Sequence, residues 1–356
     1  MMARLLTLML GVALFMSQVN SFASDEDRGY QEGDLRSEGA GSSALSDAGG
    51  ADISSAASRG RESAASVASD RSGASSGRKP EIFKSPEAAT KAFVEALRKG
   101  DQARLEAIFV DPHLISSGDD VGDRIERERF LRDFDRQHSV GGREQGMTIL
   151  YVGQTSWPFA VPIVKGKEGY YFDSVAGARD VLFRRVGRNE RRAIAVCSGF
   201  VAAQKEYALV GHDGQPAGVY AQKLMSDAGK RNGLFWPVKD GELRSPAGQA
   251  LAAAEAEGYG TATAGKSSPY RGYLYRILSA QGEHAHAGAR NYIDSNGRQS
   301  GGFALIAYPA EYGRSGVKSF IVNQDGIVYE KDLGPQTTEV ARAVREFDPQ
   351  GWRVAL

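Results

Sequence analysis

Glu190-Arg191-Arg192-Ala193-Ile194-Ala195-Val196-Cys197-Ser198-Gly199-Phe200-Val201-Ala202-Ala203-Gln204-Lys205-Glu206 is the stretch whose period fixes the fold class. Ile194, Cys197, Val201, Gln204 and, beyond the quoted run, Ala208 recur at three- and four-residue spacing, so they share one side of a helix. Glu190, Arg191, Arg192, Lys205 and Glu206 keep the rest of that helix soluble. It is predicted to open at Gly187-Arg188-Asn189-Glu190 and to run to about Val210. The turn Gly211-His212-Asp213-Gly214 follows, then an irregular stretch with Tyr220 and Gly233-Leu234-Phe235-Trp236-Pro237, and a short helix from about Pro246 to Glu257. Strands are expected at Gly272 to Ala280, Gly302 to Tyr308, Lys318 to Val322 and Ile327 to Glu330. The last pair closes over Asn323-Gln324-Asp325-Gly326, where Asp-Gly is a hairpin signal. A long helix ahead of an antiparallel meander buries its apolar side on one face of the sheet, which makes the fold class α+β.

Upstream, helix punctuation begins near Pro80. Ser85 offers a capping hydroxyl, Pro86 suits the first helical position and Gly100 closes the segment, with Ala89, Phe93, Ala96 and Leu97 as its buried stripe. Asp101 caps a second short helix that turns Leu105, Ile108 and Phe109 inward and ends at Asp111-Pro112. A charged third helix is predicted from about Asp123 to Gln137, carrying Ile125, Phe130, Leu131 and Phe134. Strand periodicity then sets in at Met147 to Val152, Phe159 to Val164 and Tyr170 to Phe172, the last two joined across Gly166-Lys167-Glu168-Gly169. The expected organisation is an α+β domain over 80–188 and a second α+β domain over 189–356. The element order of the first is similar to the nuclear-transport-factor-like cone fold, which implies no activity by itself.

Before Pro80 the chain has a different character. Arg4 precedes an apolar run from Leu5 to Met16, and Ser21-Phe22-Ala23 places small residues where a signal peptidase reads, so 1–23 is expected to be a cleaved signal peptide. The run is shorter than the roughly 20 residues of a spanning helix, and no later segment is apolar enough to cross a bilayer. From Ser24 to Lys79, 14 of 56 residues are Ser and only Tyr30, Leu35, Leu45, Ile53 and Val67 are large and apolar. Five isolated side chains do not offset an ordering cost of about 1–2 kcal/mol per residue, so 24–79 is read as a disordered tether.

Forty-four Lys and Arg balance 44 Asp and Glu, which removes the broad positive field of a nucleic-acid binder. One cysteine removes disulfide frameworks and multi-cysteine metal sites. The expectation is an exported protein of the periplasm or the extracellular space, with no cofactor and no nucleic-acid partner.

Gly187-Arg188-Asn189-Glu190, Ala203-Gln204-Lys205-Glu206-Tyr207, Gly233-Leu234-Phe235-Trp236-Pro237 and Pro269-Tyr270-Arg271-Gly272-Tyr273 form one set of motifs. The closing part is the most specific: Gly302-Phe303-Ala304-Leu305, Pro309-Ala310-Glu311-Tyr312-Gly313, Ser319-Phe320-Ile321-Val322-Asn323-Gln324-Asp325-Gly326 and Tyr329-Glu330-Lys331-Asp332-Leu333-Gly334. Together these segments resemble a secreted bacterial family known as domain of unknown function 2950. The likeness covers 80–356 and brings no catalytic residue, cofactor or substrate with it. The second half alone also looks like the soluble part of type IV pilin-like proteins, in which a helix packs on a small antiparallel sheet. No apolar half-helix with a prepilin cleavage site precedes Glu190, so that resemblance implies a soluble envelope module and not a pilus subunit.

Candidate chemistry is sparse. Cys197 lies on the helix stripe and reads as a core residue, because a reactive thiolate needs a neighbouring base or cation and exposure. His284-Ala285-His286 places two imidazoles on one side of an extended segment, yet a zinc site needs a third ligand and none is identifiable. Asp111, His113 and His138 flank the third helix and are the candidate acid-base residues of a pocket in 80–188. Gly260-Thr261-Ala262-Thr263-Ala264-Gly265-Lys266-Ser267 matches phosphate-loop spacing, but an Ala-rich helical stretch precedes it and Ser268-Pro269 follows, so it is read as a chance match. Trp157, Trp236, Tyr270 and Tyr273 are the candidate binding aromatics for a glycan or peptide. Two functional readings follow: a non-enzymatic envelope protein that binds another envelope protein or polymer, and a small-molecule-binding or hydrolytic protein with its pocket in 80–188.

Overall fold

Ser85 accepts the Ala88 amide at 3.2 Å, Pro86 follows it, and helix α1 (Pro86–Lys99) ends where Gly100 adopts φ 64° and returns its N–H to Ala96 and Leu97. The computed structural model that shows this describes residues 79–111, 114–142, 147–238, 244–247 and 269–355. The signal peptide 1–23, the tether from 24 to 78, His113, most of the helix expected over 246–257 and the phosphate-loop match at 260–267 lie outside the described residues.

Helix α2 (Gln102–Phe109) is capped by Asp101, and α3 (Asp120–Arg136) by Asp119, whose side chain accepts the Gly122 amide at 2.8 Å. The third helix thus starts a turn earlier than its apolar residues suggest, because Asp119 supplies the cap. Strands β1 (His138–Gly142), β2 (Met147–Val152), β3 (Trp157–Pro158), β4 (Ile163–Lys165) and β5 (Tyr170–Phe172) form an antiparallel sheet in the order β1-β2-β4-β5, with β3 on β2. Of the strand expected from Phe159 to Val164 only Ile163 and Val164 are extended, in β4, and β3 precedes that range. The Phe93 ring sits at the centre of this unit, with Phe109 and Phe159 at 5.1 Å, Phe130 at 5.4 Å and Phe172 at 5.6 Å between ring centres.

Helix α4 spans Ser174–Tyr207, 34 residues, and begins with Asp173 capping the Ala176 amide. Its start is a correction to the sequence reading, which opened it at Gly187. Gly177 and Gly187 interrupt the apolar pattern, but Gly177 is there for contact: a Cβ on it would lie 2.7 Å from the Val161 Cα. At 1.5 Å per residue α4 is roughly 50 Å long. Its first turns touch the first core through Ala178 and Val181, and its last turns belong to the second.

The second sheet is antiparallel, in the order β14 (Arg353–Val354), β13 (Tyr329–Asp332), β12 (Lys318–Asn323), β11 (Ala304–Pro309) and β8 (Tyr273–Leu278). Two small pairs accompany it: β6 (Lys223–Met225) with β7 (Gly233–Phe235), and β9 (Ala280–Gln281) with β10 (Arg290–Asn291). Period two sorts its side chains. Leu305, Ala307, Phe320 and Val322 meet Ala193, Cys197, Phe200 and Val201 of α4. Ala304, Ile306, Tyr308 and Ile321 meet Ala341 of a short helix α5 (Thr337–Ala343) together with Tyr292 and Phe347. Both faces are covered where the sequence pointed to one, which accounts for β11 being buried at every position. The fold is α+β, and no described helix is long and apolar enough to cross a membrane.

Candidate functional site

The described residues singled out from sequence each have their own surroundings. His138 is exposed, stacked on Phe134 at 3.7 Å and 10°, with Nδ1 2.9 Å from the Phe134 carbonyl that ends α3. Asp111 is half-buried after α2, where its charge acts on Arg185 of α4. The core of this unit is filled by Phe93, Phe109, Phe130, Phe159 and Phe172. Cys197 is fully buried, and burial pushes its thiol up to about 12.

His284 Nδ1 lies 3.0 Å from an Asp348 oxygen, and that hydrogen bond raises its ionisation above the ordinary histidine value. His286 is 88% exposed and faces Asp325 at 4.0 Å instead. Each imidazole has its own carboxylate, and no group of three metal-ligating side chains occurs among the described residues. Of the aromatics, Tyr273 is in the core, its hydroxyl donating to the Lys318 carbonyl at 2.7 Å, and Trp236 is 5% exposed. Tyr270 is half-buried and bridges back to Tyr273. Trp157 is the exposed one, with the Arg184 guanidinium 4.6 Å over its ring.

What the fold does bring together is a polar junction that the sequence reading passed over. Asp119 caps α3 with one oxygen and accepts the Gly272 amide at 3.0 Å with the other, 153 residues away in sequence. Gly272 must be glycine here: φ is +81°, and a Cβ would lie 2.7 Å from Asn189 Nδ2. Asn189 donates to the Ser315 carbonyl at 2.9 Å. The next residue, Glu190, accepts the amides of Val317 and Lys318 at 3.0 and 2.8 Å, fastening α4 to the start of β12. Burial pushes Glu190 above the ordinary carboxylate range in spite of those two bonds.

On the α3 side, Asp123 collects the Ser117 amide and the Ser116 and Ser117 hydroxyls, while Arg185 donates to the Leu114 and Ser116 carbonyls at 3.3 Å. Arg314, paired with Glu311, reaches the same Ser116 carbonyl. Glu126 faces both Arg188 and Arg192, at 3.5 and 3.4 Å. Burial works to raise Glu126, but Arg188, Arg192 and Arg129 together hold it below the ordinary range. Asp119, Asp123, Glu126, Arg185, Arg188 and Arg192 are among the residues that line a cavity of about 30 Å³. Their sequence signal was present: Arg185, Arg188 and Arg192 are spaced by three and four, which puts three guanidiniums on one face of a helix.

Residues 80–355 match the family model described as Protein of unknown function (DUF2950), and the chain belongs to that family. No curated protein and no solved structure matches it.

Proposed function

We propose that this is an exported cell-envelope protein that works by binding an envelope protein or polymer, without catalysing a reaction. On this reading residues 1–23 direct export and are removed, and 24–79 is a spacer ahead of the folded part. The observation that carries the non-catalytic part is the engagement of three candidate groups in structure: Cys197 inside a core, His138 stacked on Phe134, His284 on Asp348. The packing of α4 along one face of an antiparallel sheet supports a pilin-like plan for the second half.

The test has two arms. Full-length chain made in a bacterial host should be recovered outside the cytoplasm with Ser24 as its new N-terminus, and recovery with Met1 in the cytoplasm overturns the export reading. Chemical crosslinking in intact envelopes should then give one discrete product through an exposed residue such as Trp157 replaced by a photoreactive analogue. Turnover of an ester or glycoside panel that is lost in His138→Ala would overturn the non-catalytic reading.

A further inference from the structure

Asparagine followed by glycine occurs twice in the chain, at Asn232-Gly233 and Asn296-Gly297. Such a pair reacts with itself where the backbone is free to bend, because glycine has no side chain in the way. The glycine nitrogen attacks the asparagine side-chain carbonyl carbon and a C–N bond forms. The carboxamide nitrogen leaves as ammonia, taking up the proton that the glycine nitrogen gives up. Water then opens the resulting cyclic imide at either carbonyl and leaves aspartate or isoaspartate. We propose that Asn296 is such a modification site in the folded protein, and that the fold protects Asn232.

The Asn232 carboxamide is held at both ends. Its oxygen accepts the Asp227 amide at 3.0 Å and its nitrogen donates to the Asp227 carboxylate at 2.8 Å. Gly233 is buried at the start of β7, with its amide donating to Ser226 Oγ at 2.9 Å. A Cβ there would lie 2.6 Å from the Met225 carbonyl carbon, so no room is left for the ring to close. Reaction at this pair has to part β6 from β7 first. Asn296 and Gly297 are both exposed, and the Asn296 carboxamide has no hydrogen bond to a described residue. A Cβ on Gly297 would meet nothing within 4 Å. One bond opposes the attack, from the Gly297 amide to the Asp294 carbonyl at 3.0 Å. A single turn bond at the surface opens at far lower cost than a paired strand in a core. Conversion would be felt beyond the turn. Asp294 accepts the Asn296 and Arg298 amides, and a second carboxylate two residues on would repel it. Isoaspartate also adds a methylene to the main chain. Gln222 donates to the Gly297 carbonyl at 2.6 Å and the Tyr220 amide to the Gln299 carbonyl at 2.8 Å, so the shape of this loop guides the chain into β6. This inference is independent of where the protein is located or what it binds there.

Ageing of the full chain in mildly alkaline buffer made with heavy-oxygen water, followed by peptide mapping in a mass spectrometer, tests it. Heavy oxygen enters only where the imide is hydrolysed during the incubation, so conversion during sample handling is not counted. The expected result is label at position 296, as aspartate and isoaspartate, accumulating at least about tenfold faster than at position 232. In denaturant the two sites should convert at similar rates, because the difference between them lies in the fold. Asn296→Gln should remove the labelled product from that peptide. An Asn296 that stays intact in the native chain, or equal native rates at the two sites, would overturn the proposal. So would an excess at position 296 that persists unchanged in denaturant, since the fold would then not be its cause.

Discussion

Glu190 and Cys197 stand two turns apart on α4, both buried, and burial pushes both ionisations up. For Glu190 the folded state holds the proton more tightly than the unfolded chain, whose value is near 4.5. Its favourable contribution is therefore complete below that value and is lost as pH rises through the higher folded value. Melting curves from about pH 4.5 upward should show wild type losing Tm relative to Glu190→Gln, and parallel curves would show that this carboxylate is not responsible. Glu190→Ala should cost about 1–3 kcal/mol, because it orphans the Val317 and Lys318 amides. Cys197 should resist Ellman's reagent in the native protein and react fully in denaturant, and rapid native reaction would contradict its burial. The core role of Cys197 was legible in sequence through its spacing with Ile194 and Val201. The environment of Glu190 was not, since a carboxylate beside Arg191 and Arg192 reads as surface charge until the β12 amides are brought to it from 127 residues away.

At the scale of elements, the glycines of α4 separate intrinsic propensity from contact. Gly187→Ala should stabilise by about 0.5–1 kcal/mol, as alanine is the better helix former. The nearest atom to its new methyl is Arg191 Nη1 at 3.6 Å, ordinary contact. Gly177→Ala should destabilise by about 1–3 kcal/mol by overpacking, because the methyl meets the Val161 backbone. Denaturant melts of the two variants check both signs. The same pair explains the missed start of α4: a glycine that punctuates a sequence is harmless inside a helix when an adjacent segment needs the space. Element type was recovered best where apolar residues recur over several positions, as in α1, β2, β11 and β12. His138-Ser139-Val140-Gly141-Gly142 carries no such pattern and becomes β1 only through its pairing with β2. Helix α5 is short, at seven residues, and owes its place to Ala341 in the core under β11.

For the molecule as a whole, one helix and one polar junction link two cores, so unfolding should be a single transition with calorimetric and van't Hoff enthalpies in agreement. Gly187→Pro breaks α4 between the cores and should split it into two transitions, and two transitions in wild type would show that the junction does not couple the cores. Asp119→Ala, which removes the acceptor of both Gly122 and Gly272, should lower Tm with a loss of about 1–3 kcal/mol. The sequence alone determined the fold class, most of the elements and the charge balance, because period, caps and turns act between near neighbours. The tertiary structure alone decided that both faces of the second sheet are covered, and that Asp119 meets Gly272 and Glu126 meets Arg188 and Arg192. Those partners are far apart along the chain, and the strength of a buried charge depends on which of them share its low-dielectric surroundings, a property that no local spacing encodes.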